Sequence, residues 1–470
     1  MVAFQLVSVV SFVSARPMET QPACGGGTPL SFSASASVRP RAGRGVGRGG
    51  VLCVVVPPPS EPATGAGSLR VRPPLPRCPP AVALAAATGA PVTTKTWTYY
   101  SGQPIADKDN FKLFSGNGNP KLAKDIAKYL DVELGKCDVS QFADGETAIQ
   151  INENVRGKDV YVVQSTSGPV NDNYMELLLM VSCLRRSSAK RITVVCPYVG
   201  YARASVLEDK QIPISAKAIA LMLETVGVDR VVAVDLHASQ IQGFFHPQVP
   251  LENLESTKVG ASYFADTFPE SVTPMVVAIR TYSVARAKEF QKSLHLIGQK
   301  REQDNFKNAS LGMVIRNTPD ISEESSVLGA STEREGEGQV EEQSVGIELV
   351  GIDKINEDVI LVDDIFDTGR TICAAAHAVK QRGARKIYAF VTHGLFSPGA
   401  LQRIRDSPID LVVVTNTVAV TPKEFEESGR KIVRLNLAPL LAETIRRMHE
   451  KESLGASVFR MTNNEPPKPE

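Results

Sequence analysis

Val359 to Thr371 reads VILVDDIFDTGRT, and this stretch decides how the chain folds. Val359, Ile360, Leu361 and Val362 run straight into the adjacent carboxylates Asp363 and Asp364. A consecutive apolar run of this kind suits a strand buried on both faces of a parallel sheet. Ligands of such sheets bind beyond the carboxyl ends of the strands. Asp367-Thr368-Gly369 then turns the chain into an Ala-rich helical run from Thr371. Backbone amides and a hydroxyl therefore meet at a helix N-terminus, where the dipole favours an anion. Asp363 and Asp364 stand just before it, placed to hold ribose hydroxyls or a hydrated Mg2+. A lone Asp-Asp would be read as surface acids on an ordinary strand–turn–helix. With Asp-Thr-Gly-x-Thr attached, a sugar-phosphate site is the better reading.

Short β-rich runs alternate with helical stretches on both sides of this segment. Towards the N-terminus, 121–130 is helical, 159–164 (DVYVVQ) a strand and 173–185 a helix. A strand at 191–196 (RITVVC), a helix at 214–226 and a strand at 230–235 (RVVAVD) follow. The order βαβαβ implies a mostly parallel sheet with right-handed crossovers. The pattern occurs again from about residue 274: VVAI, a helix to about Leu294, HLIG, VILVDD, a helix over 371–381, KIYAFVTH and LVVVTNT. The expected fold is α/β, with two tandem domains at 111–255 and 256–460, each a mostly parallel sheet flanked by helices. Between 303 and 346 the periodicity disappears. Residues 320–348 are rich in Glu, Ser and Gly, with Arg334 the only base, and read as an acidic, solvated insertion.

Composition narrows the functional classes. The chain has 470 residues, 43% hydrophobic and 22% charged, as in soluble globular proteins. A net charge of +1 gives no case for nucleic acid as a bulk electrostatic partner. No apolar run reaches the roughly 18 residues of a membrane span. Cys24, Cys53, Cys78, Cys137, Cys183, Cys196 and Cys373 are scattered singly, so neither a zinc site nor a disulfide framework is indicated. Residues 1–95 differ from the rest. An apolar start is followed by a Gly, Pro, Ser, Ala and Arg mixture with only Glu19 and Glu61 as acids. This composition looks like a leader to a plastid or other organelle; the alternative is a cytoplasmic protein with an overextended start.

Three more segments carry chemistry. Gln141 to Glu146 (QFADGE) sets Phe142, able to stack on a base, beside Asp144 and Glu146, able to accept from an amino group. Val234 to Phe245 (VDLHASQIQGFF) places His237 at a strand end, where its imidazole can ligate a metal. Pro197 to Lys217 has the form of a mobile loop carrying Arg203 towards an anionic ligand.

Together with PVNDNYMELLLM, PYVGYAR, PISAK, VTHGLFSPGAL and APLLAETIRRMHEKES, these segments resemble the ribose-phosphate pyrophosphokinase family over about 111–460. DLHxxQIQGFF is specific to that family; DTGxT is shared with phosphoribosyltransferases at large. The resemblance implies two phosphoribosyltransferase-like domains in tandem, with the chain end returning to the first. It implies transfer of diphosphate from MgATP to ribose 5-phosphate, and homo- or hetero-oligomers, commonly hexamers, with the active site across a subunit boundary. Phe142, Asp144, Glu146 and Arg203 would then hold ATP, and His237 a Mg2+. Asp363, Asp364, Asp367, Thr368, Gly369, Arg370 and Thr371 would hold ribose 5-phosphate. Three departures stand out. Ala204, Ser205, Val206 and Leu207 replace polar residues after Tyr-Ala-Arg. Arg280 stands where the family has a carboxylate. The catalytic Lys-x-Arg aligns with Gln299 and Arg301, with Lys300 as a substitute. A working enzyme and a catalytically weak regulatory subunit both remain open; a plain phosphoribosyltransferase would not need the first half.

Overall fold

The computed structural model describes residues 97–98, 103–206, 211–316, 347–350, 355–419, 421–454 and 460–461. The leader 1–95, Leu207, residues 317–346 of the insertion and the polar tail lie outside them. All described residues belong to one compact unit, Pro73–Glu470.

The first half contains β1 (Phe111–Ser115), α1 (Pro120–Leu130), the hairpin β2 (Cys137–Gln141) and β3 (Thr147–Ile151), and β4 (Asp159–Val163). Next come α2 (Val170–Arg186), β5 (Arg191–Cys196), α3 (Ser215–Thr225), β6 (Arg230–Val234) and β7 (Leu251–Leu254). Its five-stranded sheet has the order β1-β4-β5-β6-β7, and every neighbour is parallel. Local chemistry explains the elements. Asn119 caps α1 by accepting from the Leu122 amide at 3.2 Å, Pro120 occupies the first turn, and Leu122, Ile126 and Leu130 bury one face.

The second half contains α4 (Thr257–Thr267), β8 (Pro274–Ala278), α5 (Val284–Arg301), α6 (Asp304–Lys307), β9 (Ser310–Arg316) and β10 (Ile347–Val350). It continues with β11 (Asp358–Phe366), α7 (Arg370–Gln381), β12 (Ile387–Gly394), α8 (Ala400–Asp406), β13 (Leu411–Thr415), α9 (Pro422–Glu427), β14 (Ile432–Leu435) and α10 (Ala438–His449). The sheet order is β10-β9-β8-β11-β12-β13-β14, parallel except for β10 on β9. The chain leaves β8 towards β9 and returns on the other side at β11. Strand order therefore reverses between β8 and β11, and a crevice opens at their carboxyl ends.

Two expectations need correction. His295 to Gly298 (HLIG) is not a strand but part of α5, whose buried Phe290, Leu294 and Ile297 follow helical spacing. The patternless region does not begin at 303 either. Residues 304–316 form α6 and β9, and Met313 lies level with Ala278 of β8. A short strand with a glycine at its centre left too little periodicity to read.

The halves share one continuous core. Leu122 and Ile126 of α1 belong to the same buried cluster as Leu440, Leu441 and Ile445 of α10. Thus the last long helix packs on the first half. His449 Nδ1 lies 2.8 Å from Asp159 Oδ2, and Nε2 lies 3.2 Å from the Asp107 carbonyl. Both partners only accept, so only imidazolium satisfies both, and the Asp159 hydrogen bond raises the His449 pKa. This stabilisation is complete below the unfolded His pKa and is lost as pH rises through the higher folded value. His449→Ala should therefore cost up to about 1 kcal/mol more at pH 5.5 than at pH 9. Urea melts of both proteins at the two pH values check this; equal losses at both would remove the imidazolium from the account.

Candidate ribose-phosphate site

The site is built at the reversal point. Asp363 and Asp364, both buried, lie in the last four residues of β11, and the turn after it enters α7 through Gly369 at φ 78° and ψ 0°. Glycine is required there twice over. A Cβ would stand in the left-handed region, and it would meet the Phe366 ring at 2.5 Å. Cys373 is the first residue of α7 whose amide reaches back, to the Gly369 carbonyl. Arg370, Thr371 and Ile372 therefore form the first turn of α7, the end at which the helix dipole favours an anion. Arg403 Nη1 donates to the Thr368 carbonyl at 2.9 Å, and the Ser397 hydroxyl donates to Asp367.

The first half closes over this loop. Arg203, on the segment after β5, donates Nη1 to Asp367 Oδ2 at 2.6 Å. His237, just beyond β6, contacts Asp364 Oδ2 through Nδ1 at 2.6 Å. Below them, Asp235 accepts from the Ser256 amide at 3.0 Å and the Thr392 hydroxyl at 2.8 Å, joining β6 to β12. His393 donates Nε2–H to the Val234 carbonyl at 3.1 Å and accepts from Thr417 on Nδ1 at 2.9 Å. Burial pushes its pKa down. These buried bonds hold the two sheets in one register across the crevice.

Sequence reasoning missed Arg286 and had singled out Arg280 only as a departure from the family. Arg286 pairs with Asp364 Oδ1 at 3.6 Å and donates to the Leu236 carbonyl at 3.2 Å. Its signal was present: a cation in the first turn of a helix opposes the dipole and needs a nearby acid. Arg280, two residues after β8, donates Nη2 to Thr371 Oγ1 at 3.0 Å, and its Nε lies 4.0 Å from Asp363 Oδ2. Burial and the neighbouring Asp364 push the Asp363 carboxyl well above the usual range, against the pull of Arg280 and Arg286. Burial also works against Asp364, but the His237 bond and the Arg286 charge outweigh it and depress its pKa. Hence Asp364 is the ionised member of the pair.

The residues assigned by sequence fall into three groups. Asp363, Asp364, Asp367, Thr368, Gly369, Arg370 and Thr371 form the loop, and Arg203 and His237 reach it. Phe142, Asp144 and Glu146 do not: they form the tip of the β2–β3 hairpin. Phe142 is 60% exposed, and the Glu146 amide donates to Asp144. Lys300 and Arg301 also lie elsewhere, in the last turn of α5, where Arg301 donates to the Ala265 carbonyl at 3.0 Å and to Asp266 Oδ1 at 2.6 Å. Arg301 lies fifteen helical steps beyond Arg286, about 22 Å of rise. Continuous helical packing thus carries Lys300 and Arg301 along α5, away from Arg286 and Asp364. β9, in contrast, runs parallel to β8, so Arg316 ends at the same sheet edge as Asp363.

A metal fits one part of this site and not the other. His237 spends Nδ1 on Asp364, the arrangement that orients an imidazole to ligate through Nε2. Asp363 and Asp364 do not fit the expected hydrated Mg2+, because each already faces a guanidinium. Among the described residues no three His, Cys, Asp or Glu side chains form a ligand set.

The fold and the loop define a phosphoribosyltransferase-like α/β protein. Residues 111–227 match the N-terminal domain of ribose phosphate pyrophosphokinase, and 272–460 match the phosphoribosyl synthetase-associated domain. The ribose-phosphate pyrophosphokinase of Vibrio vulnificus strain YJ016 is 40% identical over 351 residues, covering 74% of this chain and 98% of that protein. That of Helicobacter pylori is 39% identical over 348 residues, covering 73% and 95%. The crystal structure of phosphoribosylpyrophosphate synthetase from Mycobacterium smegmatis superposes with a TM-score of 0.61 at 32% identity, covering 73% of this chain and 99% of that one. The chain belongs to the ribose-phosphate pyrophosphokinase family.

Proposed function

We propose that this chain binds ribose 5-phosphate on the Asp367–Thr371 loop and transfers diphosphate to it from MgATP, giving phosphoribosyl pyrophosphate and AMP for nucleotide biosynthesis. The observation that carries this reading is the loop itself: a glycine-gated helix start next to paired acidic side chains. In the reaction, the ribose 1-hydroxyl oxygen bonds to the β-phosphorus of ATP. The bond from that phosphorus to the bridging oxygen breaks, AMP leaves with that oxygen, and the hydroxyl proton is released. Such transfer is mostly positioning and charge neutralisation. The loop fixes the 5-phosphate. Ionised Asp364 fixes His237, whose Nε2 would hold the Mg2+ that arrives with ATP and neutralises phosphate charge. Arg203 would exchange Asp367 for the ATP phosphates.

A second reading keeps the binding but gives the chain a regulatory role beside active relatives. Arg280 in the pocket and the distance of Lys300 and Arg301 from it favour that reading. The exposed Phe142 hairpin suits an adenine contact made to a neighbouring subunit, in line with the oligomer that the resemblance implies. AMP release by the full chain with MgATP and ribose 5-phosphate separates the readings. Turnover that falls at least about 10²-fold in His237→Ala supports the enzyme. No turnover alone, with altered turnover on mixing with an active paralogue, supports the regulator. Residues 1–95 fused to a fluorescent reporter test the proposed organelle targeting.

A further inference from the structure

We propose that Arg280 is the resident cation of the ribose-phosphate pocket, so that this chain binds ribose 5-phosphate without a divalent metal. The inference rests on the sugar-phosphate reading of the loop and goes beyond it by assigning the pocket's charge balance.

Three acidic side chains stand towards the end of β11 and in the turn after it, and each is met by a guanidinium. Asp363 lies 4.0 Å from Arg280, Asp364 lies 3.6 Å from Arg286, and Asp367 lies 2.6 Å from Arg203. Asp364 also holds His237. A divalent cation is recruited by carboxylates whose charge is not otherwise balanced, and Mg2+ demands a near-ideal octahedron of oxygens. Here a metal in contact with Asp363 would stand beside Arg280, and both would repel. Asp363 is the un-ionised member of its pair, so the Arg280 guanidinium beside it supplies the single net positive charge that a Mg2+ held by one ionised carboxylate would supply.

Arg280 is also fixed in place. The Ser283 hydroxyl donates to the Arg280 carbonyl at 2.9 Å, and the Arg280 amide donates to that hydroxyl at 3.1 Å. The guanidinium lies 5.6 Å from the Tyr282 ring centroid, and that ring packs edge-on against His237 at 5.2 Å. Its Nη2 reaches the hydroxyl of Thr371, a residue whose amide belongs to the phosphate cradle. A planar, permanently charged fork held between a carboxylate and the cradle is suited to a phosphomonoester and to the hydroxyls beside it. Asp363 Oδ1 is buried with no hydrogen-bond partner, which leaves it an acceptor for one of those hydroxyls.

Titration calorimetry of the full chain with ribose 5-phosphate, in excess EDTA and in excess Mg2+, tests this. The expected result is a dissociation constant that agrees within about twofold between the two conditions. Arg280→Ala should lose at least about tenfold in EDTA, the usual loss for a hydrogen bond to a charged group. Arg280→Lys should recover part of it. Arg280→Asp should bind only when Mg2+ is present. Wild-type binding that vanishes in EDTA and returns with Mg2+ overturns the proposal and leaves the sugar-phosphate reading standing. So does an Arg280→Ala variant with wild-type affinity in EDTA. No binding in either condition overturns both. The wild-type comparison requires no variant to fold.

Discussion

Gly369→Val should weaken ribose 5-phosphate binding by about 10²-fold, the scale at which a misplacement of about 1 Å acts on a positioned site. Gly369 has φ 78°, and a side chain in the left-handed region costs about 1–2 kcal/mol. The larger effect is steric. A Cβ would meet Cε1 of Phe366 at 2.5 Å and Cζ at 2.9 Å. Phe366 is buried and its ring packs against Phe396, so it has little room to withdraw. The backbone of the loop must move instead, and the amides of Arg370, Thr371 and Ile372 move with it. Calorimetry on a variant that keeps its circular dichroism spectrum gives the answer. Wild-type affinity would falsify the assignment of the phosphate to this turn.

Arg446→Ala should destabilise the fold by about 3–5 kcal/mol, the cost of breaking a buried ion pair from one side. The side chains of Arg446 and Glu443 are each 2% exposed. Arg446 donates to Glu443 at 3.0 Å and to Glu452 at 2.8 and 2.9 Å, and it also bonds Glu450. Its removal strips Glu443 of one guanidinium. Arg447, 2.6 Å away, remains, so the lower end of the range is expected. Because α10 packs on α1, the loss should appear as a single cooperative shift of the urea midpoint. Arg446→Met combined with Glu443→Leu should recover much of it, since apolar replacement of a whole buried pair is often neutral. A single-variant loss below about 1 kcal/mol would mean that water reaches this network.

Much of this architecture was legible in the residues. The strand over 230–234 has an unbroken apolar run after Arg230, that over 191–196 is broken only by Thr193, and α1 carries both its cap and its stripe in the letters. The errors have a common cause. HLIG has the length and hydropathy of a short buried strand, and only its packing as a fourth and fifth turn of α5 decides otherwise. Likewise, matching the family's Lys-x-Arg to Gln299 and Arg301 takes no account of the helix that runs on through them. The phosphate loop was readable because one short contiguous segment supplies its glycine, its hydroxyls and its amides.

Sequence alone determined the alternation of elements, the glycine-gated turn after Asp363 and Asp364, and the family to which they belong. These depend on neighbours within a few positions, through side-chain periodicity and allowed backbone angles. Tertiary structure alone decided which acid carries the charge, which arginines stand against the pair, and where the cations of α5 end. His237 and Asp364 are 127 residues apart, and Arg280 and Thr371 are 91 apart. Such partners meet only after two sheets have docked, and the field each carboxylate feels is the sum over groups that the linear order does not bring together.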